Sequence, residues 1–251
     1  MPSLIKLFRI FIISFIAALA IVGIKYTFHL FGWEIIKQSS LHNSVLSSVT
    51  FVIGFILSAA IADYKESERI PSDFAANLED MYDDAKAIHH SYPVFDIDKF
   101  RMQLHKIAVG FHNDARNSYD ARKDIRGLFP YFVTMEQGGV PANFIVKLKQ
   151  QQISLLRSRH RVNYIQRIKF IPSATILARS IVGMTLLLLL LTEIDPFYGG
   201  LAITGVTSFI FTYVLILIGV ISTPFHASGK TRDDVSLFLI DDTAFYLSKK
   251  Q

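Results

Sequence analysis

The feature that most constrains this chain is a long uncharged segment that ends abruptly in charge. Residues 45–62 carry no charged side chain, and five charged side chains follow between Asp63 and Arg69. An apolar run of about 18 residues is long enough to cross a hydrocarbon core of about 30 Å as a helix. We expect a membrane-spanning helix that continues into a charged segment at one membrane surface.

Three further apolar segments have the same character. Together they predict four spans, near residues 7–24, 45–62, 173–192 and 201–222. The composition agrees, because 51% of the residues are hydrophobic and only 19% are charged. The predicted fold class is an all-α membrane protein, with four transmembrane helices and a cytosolic helical bundle.

The spans divide the chain into four predicted regions. These are a first transmembrane helix pair in residues 1–71, a cytosolic helical domain in 72–170, a second transmembrane pair in 171–222 and a cytosolic C-terminal tail in 223–251. Pro71 is expected to separate the second span from the helix that follows it.

Apolar residues at spacings of three and four predict two amphipathic helices in the cytosolic domain. The apolar face of the first is Phe74, Leu78, Met81, Ala85 and Ile88, and that of the second is Phe100, Leu104, Ile107, Ala108 and Phe111. These faces should pack together as the core of a helical bundle.

Charge sets the expected orientation. Basic residues concentrate in the long middle region and at the end of the chain, whereas the turn at Glu193 and Asp195 is acidic. The positive-inside rule then predicts that both termini are cytosolic, in a plasma membrane or bacterial inner membrane. The net charge of +5 is mild, so we expect no nucleic-acid partner.

Enzyme chemistry finds no support in the sequence. There is no cysteine, and no GxSxG, Walker or GxGxxG motif occurs. His89, His90, His105 and His112 lack the spacing of a recognised metal site, and surface histidines are the expectation. We predict neither an enzyme nor a cofactor nor a metal site.

One face of the second span carries the candidate site. Ser47, Phe51 and Phe55 follow one another at intervals of four, so they share a helix face. Gly54 adds a small residue that lets a neighbouring helix approach closely. Two interpretations fit this pattern: a helix that faces a pore, and a lipid-facing span with a phenylalanine stripe.

Short motifs at corresponding places give the chain a family resemblance. They are FVIGF at residues 51–55 with Ile70-Pro71 after it, Ile171-Pro172 before the third span, and Pro224-Phe225 with Asp233-Asp234 after the fourth. In order and spacing, this set resembles the bestrophin family of pentameric membrane channels.

The resemblance implies a homo-pentameric ion channel that leans towards anions such as chloride, with the lipid bilayer and permeant ions as its other partners. Ser47, Phe51 and Phe55 would form a hydrophobic pore neck, and Ile171 a narrow cytosolic restriction. Ser47 departs from the family, which usually has an apolar residue there. The family's acidic calcium clasp is interrupted by residues 226–232, so calcium gating is not expected. A cation-permeable channel and a non-conducting scaffold or signalling protein are the alternatives.

Overall fold

The computed structural model describes residues 4–117, 122–167, 172–225 and 235–249. Within these ranges the chain forms nine helices and two very short strands. In chain order they are α1 (Leu4–Leu30), β1 (Ile36–Lys37), α2 (Ser40–Ser91), α3 (Ile97–Asn117), α4 (Arg122–Arg126), α5 (Phe129–Gln137), α6 (Ala142–Arg167), α7 (Pro172–Leu191), β2 (Thr192–Glu193), α8 (Phe197–Ile221) and α9 (Phe238–Ser248). The prediction of an all-α fold is confirmed.

The chain divides into two compact units. The first contains α1, α7, α8, both strands and the part of α2 that ends at Tyr64. Its helices are long and apolar enough to cross a membrane, as predicted, at Phe8–Leu30, within Ser40–Ser91, at Ser173–Leu191 and at Phe197–Ile221. Helix α1 packs along α8, and a Cβ at Gly205 would lie only 3.1 Å from Val22. Glycine at that position therefore permits a close approach of the two helices.

A parallel strand pair, which the sequence analysis did not anticipate, joins two connections of the first unit. Ile36 lies opposite Thr192 and Lys37 opposite Glu193. The amide of Gln38 then donates to the carbonyl of Glu193 at 3.2 Å. The link between α1 and α2 is thereby hydrogen-bonded to the link between α7 and α8.

Helix α1 extends beyond the end that the sequence predicted. The expected span stopped before Lys25, because a charge usually ends an apolar segment, but α1 continues to Leu30. The side chain of Lys25 is buried and forms an ion pair with Glu34. The ammonium group is therefore satisfied inside the protein, and the helix does not have to end where the charge occurs.

The second unit contains α2 from Lys65 onwards, together with α3–α6 and α9. Its core confirms the two predicted apolar faces, since all ten residues are at most 4% exposed. Phe74 of α2 stacks on Phe111 of α3 with ring centroids 3.9 Å apart. Hydrophobic burial of this kind is the main favourable term in folding.

Pro71 does not break the second helix. The expected start of a new helix after Pro71 is wrong, because α2 runs without interruption from Ser40 to Ser91. A proline inside a helix costs about 3 kcal/mol. Ile70 and Phe74, at 8% and 0% exposure, are buried on either side of it, and their packing offsets that cost.

Candidate functional site

The three predicted neck residues lie together on one exposed face of α2. Phe51 is 77% exposed and Phe55 is 71% exposed in the single chain, and Ser47 is also exposed. These are unusually high values for phenylalanine side chains. Nothing lies within 4 Å of a Cβ placed at the adjacent Gly54. This face of α2 is open along its length in one copy of the chain.

The opposite face of α2 is packed against α7 and α8. Ile53 lies in a buried cluster with Val182 of α7 and Phe211 of α8. A second cluster, one turn further along, joins Ile56 and Ala60 of α2 with Ala178, Ile218 and Ile221. Because one side of the helix is fixed in this way, the phenylalanines must point away from the helices of their own chain.

The open face carries hydroxyl side chains on the N-terminal side of the phenylalanines. Ser44 and Ser48 share this face with Ser47, given 3.6 residues per turn. The hydroxyl of Ser44 donates to the carbonyl of Ser40 at 3.2 Å, and that of Ser48 to the carbonyl of Ser44 at 2.8 Å. The hydroxyl protons are thus used within the helix, while the oxygen atoms stay on the open face.

The exposed side of α1 has a different chemistry. Between Phe11 and Leu19 its exposed residues are bulky and apolar, at Phe11, Ile12, Ile13, Phe15, Ile16 and Leu19. An apolar surface of this kind suits contact with lipid chains. The open face of α2 instead mixes hydroxyls, small residues and two phenylalanines. The first unit therefore presents two kinds of exposed helix face.

Two parts of the resemblance fall outside the described residues. Ile171, the expected second restriction, lies in the gap before α7, and Asp233-Asp234 lies in the gap before α9. Pro172 is the first residue of α7, and Phe225 is buried at 8% exposure.

A polar network that no sequence motif predicts lies at the end of α1. Lys25, at 1% exposure, pairs with Glu34, at 6%, and also donates to the carbonyl of Leu190 at 3.3 Å. His29 lies 2.6 Å from the other carboxylate oxygen of Glu34 and stacks on Phe197 with centroids 3.8 Å apart. The sequence hints at this network only in that charged residues, Lys25 and Glu34, lie before and after the end of α1.

The carboxyl group of Glu34 is held in its charged form. Burial opposes its ionisation, but hydrogen bonds from Lys25 and His29 and the charges of both groups outweigh burial and lower the pKa of Glu34 below its ordinary value. Glu34 therefore serves as the anion that neutralises Lys25.

The histidines of the second unit are dispersed among other contacts. His112 lies 2.8 Å from Asp241, and the ring of His89 packs edge-on against Phe95 at 5.3 Å. Within residues 4–117, 122–167, 172–225 and 235–249, no three His, Asp or Glu side chains are grouped so that they could hold a metal ion.

Comparisons with known proteins give matches only at the level of structure. No protein-family model and no curated protein sequence matches the chain. A bacterial bestrophin homologue from Klebsiella pneumoniae, whose crystal structure was phased with zinc, matches with a TM-score of 0.76 at 11% identity, covering 96% of this chain and 97% of that chain. A point variant of a bestrophin homologue from the same organism matches with a TM-score of 0.77 at 12% identity, covering 96% of each chain.

A further crystal structure, of a membrane protein variant, has a TM-score of 0.75 at 12% identity and covers 96% of each chain. The similarity therefore extends over nearly the whole chain and includes both units. The four helices that are long and apolar enough to cross a bilayer are the architecture of an integral membrane protein. The chain has a bestrophin-like fold.

Proposed function

We propose that this protein is a homo-oligomeric ion channel, a pentamer, in which α2 of each copy lines a central pore. The observation that carries the proposal is the open face of α2. Phe51 and Phe55 are 77% and 71% exposed there, while Ile53 on the opposite face is buried against α7 and α8. Identical copies arranged around an axis would turn this face towards the axis.

The chemistry of the face suits a pore better than lipid. A lipid-facing stripe gains by being apolar, as the exposed side of α1 is between Phe11 and Leu19. Ser44, Ser47 and Ser48 break that pattern on α2, and polar side chains within spans usually face a bundle interior or a water-filled cavity. The second interpretation of the phenylalanine stripe, direct contact with lipid, is therefore disfavoured.

The proposed mechanism is passive conduction through a hydrophobic neck. Rings of Phe51 and Phe55 around the axis would form a constriction that loses water easily, and such a constriction can act as a gate. The edges of the aromatic rings carry partial positive charge. Edges turned towards the axis would favour anions such as chloride. Ser47 forms the wider upper end of the neck, and Ile171 forms a second restriction at the cytosolic exit.

Charge supports the proposed orientation. The basic middle region and the basic end of the chain favour a cytosolic location for both termini, in a plasma membrane or bacterial inner membrane. In this orientation the strand pair and the Lys25–Glu34 network lie on the outer side.

Recording from the purified full-length protein in planar bilayers tests the proposal. We expect discrete conductance steps and, under a potassium chloride gradient, a reversal potential displaced towards that of chloride. A reversal potential displaced towards that of potassium would show that the channel is selective for cations instead of anions. If a folded preparation shows no conductance at any voltage, the channel proposal is overturned and a scaffold is supported.

The mass of the detergent-solubilised particle measures the number of copies in the oligomer.

A further inference from the structure

Two helices of the second unit expose apolar stripes to the surroundings of the chain. On α6, Val146, Ile153 and Tyr164 are 51%, 47% and 52% exposed. They are seven and eleven residues apart, so they lie on one face, and Arg157 shares that face. We call these four residues the α6 stripe. Isolated exposed apolar residues are common on proteins, but these three share their helix face with an exposed cation.

The second stripe lies on the C-terminal helix. Phe238 and Phe245 of α9 are 57% and 63% exposed, and Asp242 lies between them on the same face. These three residues form the α9 stripe. The other side of α9 is seated in the unit, since Ile240, Thr243 and Leu247 are at most 1% exposed. The hydroxyl of Thr243 also donates to Glu79 at 2.7 Å. The α9 stripe is therefore presented on a fixed helix.

Each stripe carries one charged side chain that has no ion-pair partner among the described residues. Two other cations of α6 have acidic partners, because Arg161 bonds Glu66 at 2.8 Å and Lys147 bonds Asp84 at 2.6 Å. Asp241 beside the α9 stripe pairs with His112. In the part of the chain that the structure describes, neither Arg157 nor Asp242 has an ion-pair partner. The two leftover charges are opposite in sign.

The spacing of the two stripes also corresponds. Ile153 precedes Arg157 by four residues, and Phe238 precedes Asp242 by four residues. If α6 and α9 lie side by side, Ile153 can therefore contact Phe238 while Arg157 contacts Asp242. A guanidinium paired with a carboxylate has good geometry for two hydrogen bonds.

From these observations we infer that the α9 stripe of one copy docks on the α6 stripe of the next copy of this chain, with Asp242 facing Arg157. The inference rests on the proposed oligomeric channel and adds a specific contact between its subunits. Because two different faces meet, the contact is heterologous, and heterologous contacts close into rings when the rotation allows. An anionic lipid surface fits less well, since Asp242 and Asp241 would oppose it.

The absence of cysteine from the chain makes site-directed cross-linking direct. Two differently tagged copies are co-expressed, one carrying Asp242→Cys and the other Arg157→Cys, and the purified oligomer is treated with a short bis-maleimide. We expect a product that contains both tags. A chain that carries both substitutions should give a ladder of dimers and higher species up to the closed ring. The control replaces Arg157→Cys with Lys37→Cys, an exposed lysine of β1 in the first unit, and should give no linked product.

Charge reversal tests the same contact without cysteine. Asp242→Arg alone and Arg157→Asp alone should each raise the protein concentration needed to keep the oligomer assembled by roughly fivefold, the scale of one exposed ion pair. The double variant should recover the wild-type value. Glu136→Arg, which reverses another exposed carboxylate, should leave assembly unchanged.

The possible outcomes separate this inference from the proposed function. If the wild-type protein conducts and assembles but the tagged copies are not linked, the two stripes do not meet, and the channel proposal stands. Linkage of Asp242→Cys copies to one another would show two α9 stripes in a symmetric contact and would also overturn the inference. A wild-type protein that is monomeric and does not conduct would overturn both.

Discussion

Lys25 and Glu34 form a buried ion pair at the end of α1. Their side chains are 1% and 6% exposed, and the Lys25 ammonium also donates to the backbone carbonyls of Leu190 and Thr192. A buried charge is tolerated only when it is paired and hydrogen-bonded. The pair therefore fixes the end of α1 and the following loop to the end of α7.

Removing one partner of this pair should destabilise the first unit. Lys25→Met leaves the Glu34 carboxylate buried without its ammonium, and breaking a buried pair costs about 3–5 kcal/mol. We expect a lower thermal unfolding midpoint, followed through the fluorescence of Trp33, the only tryptophan, which lies in the same loop. The double variant Lys25→Met with Glu34→Leu should recover most of the loss. Equal loss in the single and double variants would contradict a role for the charge pair.

The same pair should make the thermal stability of the protein depend on pH. The pKa of Glu34 is lowered in the folded protein, so its contribution is fully present above the unfolded pKa of about 4.3 and is lost as the pH falls through the folded value. The unfolding midpoint of the wild type should fall from about pH 5 downwards. Glu34→Gln should lower the midpoint near neutral pH and flatten this decline. Parallel curves for the two proteins below pH 5 would show that Glu34 does not titrate in this way.

Much of the fold can be predicted from the sequence, because hydrophobic periodicity depends only on residues close together in the chain. Spacing alone predicts the apolar faces that begin at Phe74 and Phe100, and both are buried. The course of α2 through Pro71 cannot be predicted in this way, because it depends on packing between segments distant in the chain. The predicted end of α1 before Lys25 is wrong for the same reason, since Glu34 and the carbonyl acceptors of Lys25 come from separate elements.

The sequence predicts which residues of the candidate site share a helix face, but not what that face contacts. Spacing places Ser47, Phe51 and Phe55 together, and the structure gives the same grouping with the opposite face packed. In the proposed channel that face meets other copies of the chain, and periodicity carries no information about them. The sequence does not predict the stripes on α6 and α9, because exposed apolar residues cannot be separated from core residues before the helices are packed.

Arg101 should hold the C-terminal helix to α3. It is 5% exposed, and its Nη1 group donates to the carbonyls of Leu247 and Lys249 at 2.5 and 3.0 Å. Hydrogen bonds that involve a charged group contribute about 1.5–3 kcal/mol. Arg101→Met should therefore raise the hydrogen-exchange rate of the α9 amides by roughly tenfold or more. Arg126→Met, at an exposed arginine of α4, is the control. Unchanged exchange in α9 would contradict the anchoring role.

Truncating the phenylalanines of the open α2 face should widen the proposed neck. Phe51→Ala and Phe55→Ala each remove a ring that would exclude water from the axis, and a barrier lowered by about 1.4 kcal/mol corresponds to roughly tenfold more current. We expect a higher open probability or weaker ion selectivity in bilayer recordings. Phe15→Ala makes the same truncation at an α1 side chain that is 50% exposed, and it should leave the current unchanged because α1 does not line the proposed pore. If both α2 variants behave like Phe15→Ala, the rings of α2 do not surround the conduction path.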